Sequence, residues 1–411
     1  MIGWYSELGA GEKRTFWACF GGWALDAFDV QIYSFVVPAL IAIWGISKTQ
    51  AGLLATSALV ISAFGGWVAG MLADRIGRAR LLQIMVGWFA LFTFLSGFTQ
   101  NFEQLLVVRG LQGFGFGGEW AAGSVLMGEA IRAAHRGKAV GSVQSAWAWG
   151  WAAAAILATI IFQVLPQEIA WRVMFFAGIT PALLIFYIRG YVPEPKVFVE
   201  SRAAAVPGKG RGVLAIFGKE LLPTTILGCV LAIGAQGGYY AITTFLPTFL
   251  RTERHLTVMG TGGYLAVIIV GSFCGYITSA YLSDRMGRRP NFFLFAIGSM
   301  VIALAYTQFD ISDAAMLVLG FPLGFFASGI FSGMGPLYTE LFPTTVRATG
   351  QGFCYNFGRG IAAFFPTLVG MLSTSVTLGV AIGVFAAAAY AIVIVAAVLL
   401  PETRGRELKA A

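Results

Sequence analysis

Five charged residues stand inside long apolar runs of this chain: Asp26, Asp29, Arg109, Glu119 and Arg359. A charge at the centre of a bilayer costs at least ~2.5–3.5 kcal/mol on insertion scales, so each needs a partner or a task. Asp26 and Asp29 are three apart, which sets both carboxyls on one helix face. With Arg109 and Glu119 they make a candidate proton site that titrates as one coupled unit. Asp29 is the expected coupling residue and Asp26 the lesser one. Arg359 keeps different company, with Tyr355 and Asn356 on its own run and Gln236, Tyr239 and Tyr240 on another. Neutral donors around a fixed cation suit an organic anion, because a guanidinium grips a carboxylate with two parallel hydrogen bonds; the alternative is a structural bridge from Arg359 across the cavity to Asp29 or Glu119. Gln144 and Trp147 join this candidate substrate site, with Trp149 and Trp151 as a further aromatic wall; the alternative for any one Trp is a lipid-facing or packing role.

The elements that must position these groups follow from composition. Of 411 residues, 58% are apolar and 11% charged, and the mean hydropathy is +0.78. Soluble domains carry about 25% charged residues, so a bilayer is the solvent expected for most of this chain. Twelve apolar windows are each close to the length of a membrane-crossing helix: 16–43, 52–73, 81–99, 104–128, 139–163, 171–188, 221–248, 261–282, 291–308, 314–338, 350–373 and 377–399. They are too long and too evenly apolar for barrel strands, which leaves an all-α membrane protein. At a rise of ~1.5 Å per residue, Asp26 falls level with Glu119, and Asp29 within reach of Arg109.

Net charge is +8, a value that in a soluble chain suggests nucleic acid, but topology explains it better. With both termini cytoplasmic, the cytoplasmic segments hold 21 Lys and Arg and the outer loops 4. The positive-inside bias therefore predicts a multi-pass plasma (inner) membrane protein with both ends inside. Charged residues 1–15 before a long first window read as an anchored helix rather than a cleaved signal. Cys19, Cys229, Cys274 and Cys354 are scattered and show no metal or redox spacing, so neither metal nor cofactor is expected.

The chain repeats itself. Gly70-Met-Leu-Ala-Asp-Arg-Ile-Gly-Arg-Ala-Arg80 returns as Ala280-Tyr-Leu-Ser-Asp-Arg-Met-Gly-Arg-Arg-Pro290. Glu129 with Arg136 returns as Glu340 with Arg347, and Val192-Pro193-Glu194-Pro195 as Leu400-Pro401-Glu402-Thr403. Three matches in order at nearly one offset imply a duplication: a six-helix half over 1–190, a linker over 191–219 and a second half over 220–411.

The paired Asp-Arg-x-Gly-Arg loops, the run Arg109-Gly-Leu-Gln112-Gly113-Phe-Gly115-Phe-Gly117-Gly118-Glu119-Trp120 and the final Pro-Glu-Thr-Arg-Gly resemble the major facilitator superfamily across the whole chain. Asp26-Ala27-Phe28-Asp29 is similar to the aromatic acid:proton symporters, with Ala27 where that signature has Gly. Gly117-Gly118-Glu119-Trp120 and Val143-Gln144-Ser145-Ala146-Trp147 resemble the sialate:proton symporters and the muconate-type carriers near them. The resemblance implies twelve helices in two halves, with a substrate held between them and exposed alternately to each side. It implies proton-coupled uptake of a small organic anion by a functional monomer in the lipid bilayer. A sugar or polyol carrier and a drug efflux antiporter are the alternatives within this fold. The loop residues Asp74, Arg75, Arg78, Glu129 and Arg136, with Asp284, Arg285, Arg288, Glu340 and Arg347, become either a charge latch on the cytoplasmic side or helix caps and anchors.

Two readings are set aside. Gly113, Gly115 and Gly118 match a dinucleotide pattern, but inside an apolar helix small residues serve close helix packing, and no nucleic-acid or nucleotide partner is expected. His135 and His255 lie in loops, and no catalytic constellation falls within the windows, so the chain is not expected to be an enzyme.

Overall fold

A computed structural model describes residues 3–130, 136–194, 213–342 and 347–404, and among them the chain is helical with no strand. The twelve expected windows all appear as helices. Span one is Ala10–Trp44, span two Lys48–Ile76, span three Arg78–Ser96 and span four Phe102–Ala130. Span five is broken into Arg136–Gln144 and Ala146–Val164, and span six into Gln167–Ala177 and Leu183–Tyr191. Span seven comprises Leu222–Thr243 and Leu246–Thr252, followed by span eight at Val258–Met286 and span nine at Arg288–Gln308. Span ten is Asp313–Leu341, span eleven Arg347–Ala362 with Phe364–Leu372, and span twelve Leu378–Leu399. Most of the expected linker, residues 195–212, lies outside the described residues.

Helix starts carry their own caps. Spans two, eight, ten and twelve begin after Ser47, Thr257, Ser312 and Thr377, whose hydroxyls accept the N–H of the third residue onward at 3.0–3.3 Å. Each bond satisfies a donor that the first helical turn leaves free.

Small residues bring the spans together. A Cβ on Gly113 or Gly117 would overlap the carbonyls of Ala58 or Ser62 in span two, and one on Gly115 or Gly118 would strike Phe89 or Met85 in span three. The glycine run therefore packs helices, as expected. Spans eight and ten repeat the device, with Gly324 against the Ile268 carbonyl and Gly271 and Gly275 against those of Phe321 and Phe325. The two halves meet along spans two with eleven and five with eight. Under the duplication expected from sequence, span eight corresponds to span two and span eleven to span five, so the repeat would exchange these pairs.

Ten of the twelve spans are long and apolar enough to cross a membrane on length and composition alone, among the described residues. The two others are span four, which carries Arg109 and Glu119, and span eleven, which carries Arg359.

Candidate functional site

Every charged residue singled out within the spans is buried, with at most 3% exposure. Arg359 of span eleven sits over the ring of Phe116 of span four, its Cζ 4.5 Å from the ring centroid and 5.0 Å from that of Tyr355. Its Nε donates to Gln236 Oε1 at 3.3 Å, while Nη1 has no acceptor among the described residues. Gln236 is held in turn, since its Nε2 donates to the Tyr355 carbonyl at 2.9 Å and its Oε1 accepts from the Tyr240 hydroxyl at 3.4 Å. Tyr240 and Tyr355 also flank the guanidinium. The second half thus fixes the cation in direction and leaves part of it unpaired.

Asp26 and Glu119 face Arg359 from the first half. Their carboxyls meet each other, and both lie within electrostatic reach of Arg359. Gly22 leaves the room, because a Cβ there would overlap the Glu119 carboxyl. Among the described residues no N–H or O–H reaches either Asp26 oxygen or Glu119 Oε2. Two carboxylates in contact repel, and a proton shared between them would relieve that repulsion.

Asp29 turns elsewhere. It accepts from Gln112 Nε2 and has Arg109 and Thr93 of span three beside it, inside the first half. Arg109 lies 4.5 Å over the Tyr33 ring, with Nε and Nη1 unpaired among the described residues. The four residues expected to cluster lie together, with Asp26 in electrostatic reach of Asp29, and their contacts group them into two linked sets. One is Asp29 with Gln112 and Arg109; the other is Asp26 with Glu119, completed by Arg359 across the interface.

Aromatic side chains close the centre. Trp23 packs on Trp120 at 4.3 Å and on Trp147 at 5.0 Å, and Trp120 reaches Tyr355 at 5.9 Å. Trp147 Nε1 donates to the Tyr239 hydroxyl at 2.5 Å, a direct bond between the halves. A cavity of about 30 Å³ remains, lined by Gln31, Arg109, Gln112, Phe116, Tyr239 and Tyr240 among others. That volume holds a water or so, not an organic acid. Asp26, Glu119 and Arg359 do not line that cavity and are each 1% exposed, so the form described is closed around them. Thr56 of span two seals the end opposite the termini, bonding the Ala363 carbonyl at 2.6 Å and Thr367 at 2.7 Å.

Three expected substrate-site positions are placed differently. Trp149 is 60% exposed on the outer face beside Phe273, so it is no part of the aromatic wall. Trp151 does turn inward, toward Tyr239. Asn356 is buried but packs over Gly66 of span two, with Nδ2 donating to its own helix at Gly352. Gln144 is buried at the break, and no described contact joins it to Arg359.

Of the loop residues, the side chains of Asp74, Arg75, Glu129, Arg136, Asp284 and Arg347 lie outside those described. Arg285 is exposed. Arg288 pairs with Glu340 through two bonds, at 2.6 and 3.0 Å, which ties span nine to span ten within one half. Glu340 also accepts from the Thr403 hydroxyl at 2.5 Å. Sequence reasoning did not foresee the work of Glu194 and Glu402. Glu194 accepts the N–H groups of Arg78 and Arg80 at 2.8 and 3.1 Å, and Glu402 those of Arg288 and Arg289 at 2.9 Å. Each carboxylate caps the helix that follows a glycine with φ near +105°, a turn that an L side chain resists. Arg78 and Arg288 complete the turn by donating to the carbonyls of Ala73 and Ser283.

Gln112, Phe116, Trp23 and Trp120 were missed as well, although their spacing carried a signal. Arg109, Gln112, Phe116 and Glu119 recur at three, seven and ten positions, which is one helix face.

The model of the Major Facilitator Superfamily matches residues 19–280 and 270–410. A probable 4-methylmuconolactone transporter of Cupriavidus pinatubonensis is 45% identical over 98% of this chain and 94% of that relative. A cis,cis-muconate transport protein of Acinetobacter baylyi is 29% identical over 95% of this chain and 94% of its own length. Among solved structures, the proton:xylose symporter XylE superposes with a TM-score of 0.76 at 19% identity, covering 97% of this chain and 98% of that one.

Proposed function

Because this chain belongs to the Major Facilitator Superfamily and is a multi-pass membrane transporter, we propose that it takes up small organic anions together with protons. Arg359 carries the reading. It is a buried, oriented guanidinium with an unpaired donor at the interface of two halves that must part for alternating access. A substrate carboxylate supplies the missing charge and hydrogen bonds. Relatives named for 4-methylmuconolactone, muconate, sialic acid and 3-(3-hydroxyphenyl)propionate transport support an acid as cargo.

Proton handling falls to Asp26 and Glu119, which stand between the substrate cation and the first half. Protonation of this pair weakens its hold on Arg359, and an arriving carboxylate takes its place. The loss of one Arg359 partner and the gain of another makes binding and protonation favour each other. Both termini are assigned to the cytoplasm, and reporter fusions at either end reading external would reverse that orientation.

Binding of labelled nicotinate, 3-(3-hydroxyphenyl)propionate and 4-methylmuconolactone to the purified protein tests the anchor. Arg359→Gln is expected to weaken binding at least tenfold, about 1.4 kcal/mol. Arg359→Lys should also fail, since a point charge cannot reproduce the planar fork. Unchanged affinity in a folded Arg359→Gln variant would reopen the case for a neutral cargo such as a sugar.

A further inference from the structure

We infer that one proton accompanies each substrate carboxylate and that the transport cycle moves no net charge, as an extension of the organic-anion reading above. The inference comes from counting charge in the closed site. At mid-depth the described residues place three carboxyls, Asp26, Asp29 and Glu119, and two guanidiniums, Arg109 and Arg359, all buried. Asp29 and Arg109 are neighbours within the first half and balance each other. Asp26 and Glu119 meet carboxyl to carboxyl, so with one shared proton the pair carries a single negative charge. Arg359, within reach of both, balances it. The empty site is therefore neutral with one proton already aboard.

A monocarboxylate on Arg359 brings one negative charge into the same space. Neutrality returns when a second proton joins the Asp26–Glu119 pair, which no longer has Arg359 to itself. Both forms that must cross between inward and outward states, empty and loaded, are then uncharged. A net charge on groups this deeply buried would be expensive, so these are the forms that reorient. The other titratable groups facing the pair are Asp29, the Cys19 thiol beside Glu119 and Arg359 itself, which Tyr240 and Tyr355 flank. None of these adds a charge to the count. A dicarboxylate fits less well, because the second cation, Arg109, is already balanced by Asp29.

The full chain in proteoliposomes tests this. Proton entry is followed with an internal pH dye and substrate entry with labelled nicotinate, 3-(3-hydroxyphenyl)propionate or 4-methylmuconolactone, each corrected for protein-free vesicles. The expected result is one proton per monocarboxylate, with no substrate-triggered current on a supported membrane. Initial uptake should not change when potassium and valinomycin impose a potential of about 59 mV, which would drive a further tenfold accumulation if one charge moved. Labelled cis,cis-muconate is expected to enter at least tenfold more slowly. Two protons per monocarboxylate, or a substrate-triggered current, would overturn the neutral cycle while leaving proton-coupled anion uptake intact. Muconate entering as fast as nicotinate with one proton would overturn it too. Protein-dependent uptake with no proton movement would instead remove the proton-coupled reading itself.

Discussion

Gly113 of the first half and Gly324 of the second stand at an offset close to 210, and each lays its backbone against a carbonyl of the neighbouring span. Gly65 and Gly275 form a second such pair, and Glu194 and Glu402 a third, capping spans three and nine. The charged residues obey no such copying. Near the same offset, Ala235 and Gly238 stand opposite Asp26 and Asp29, Gly320 opposite Arg109 and Ile330 opposite Glu119. The position matching Arg359 falls near Trp149, on the outer face. A packing device can be duplicated because two copies simply hold two halves. A buried charge cannot, because a second copy doubles the desolvation cost without adding a partner. The surviving arrangement puts a carboxyl pair on one half and a cation on the other, facing each other across the contact between the halves.

Breaking the charged side of this contrast has the largest expected effect. Asp26→Asn with Glu119→Gln leaves Arg359 without its counter-charge, so substrate binds without a proton and the empty site carries a net positive charge. Accumulation in a pH gradient of about one unit should fall from roughly tenfold to none, while substrate exchange continues. Accumulation at the wild-type level in the double variant would return the coupling role to Asp29, as the sequence alone had suggested. Asp29→Asn is expected to keep the proton-to-substrate ratio but to destabilise the protein by about 3 kcal/mol, since Arg109 loses its balancing charge. Thermal unfolding in detergent and flux measurements on the same preparation separate those two effects.

The copied side of the contrast should break symmetrically. Gly113→Ala and Gly324→Ala each force a methyl against a backbone carbonyl, and each should cost about 1–3 kcal/mol by overpacking. A much larger loss in one half, read from melting temperature, would mean that the halves differ in packing as well as in charge. The smallest effect is at the caps. Burial alone would raise the Glu402 carboxyl, but four backbone N–H donors outweigh it and hold the group below its ordinary range. Its contribution is therefore present above the usual Glu titration and lost as pH falls through the lowered value. Glu402→Gln should lower stability at pH near 7 by less than about 1 kcal/mol, because the carboxylate is exposed and screened. The difference from wild type should shrink as pH falls below the ordinary Glu titration.

Much of the frame was legible in the chain. Hydropathy placed all twelve spans, and the ends moved by only a few residues, because a bilayer-crossing helix must be apolar along its length. Rise per residue placed Asp26 level with Glu119 and Asp29 near Arg109, as the contacts bear out. The orientation of the two aspartates was not legible. Three residues on a helix turn 300° and climb ~4.5 Å, so Asp29 sits about 60° around the face from Asp26. That difference sends one carboxyl into the first half and the other toward the second. The Pro-Glu repeats were visible as matched text, but their capping role joins residues more than a hundred positions apart, and no local pattern reports such a contact.

Sequence by itself determined the number of spans and which of them carry charge, because hydropathy and spacing can be read along the chain alone. Tertiary structure decided which charges meet. Arg359 stands well over two hundred residues from Asp26 and Glu119, and their meeting depends on how spans one, four and eleven rotate about their own axes. That rotation is set by the packing of each helix against its neighbours, where glycines at two or three contacts fix an angle that composition leaves free.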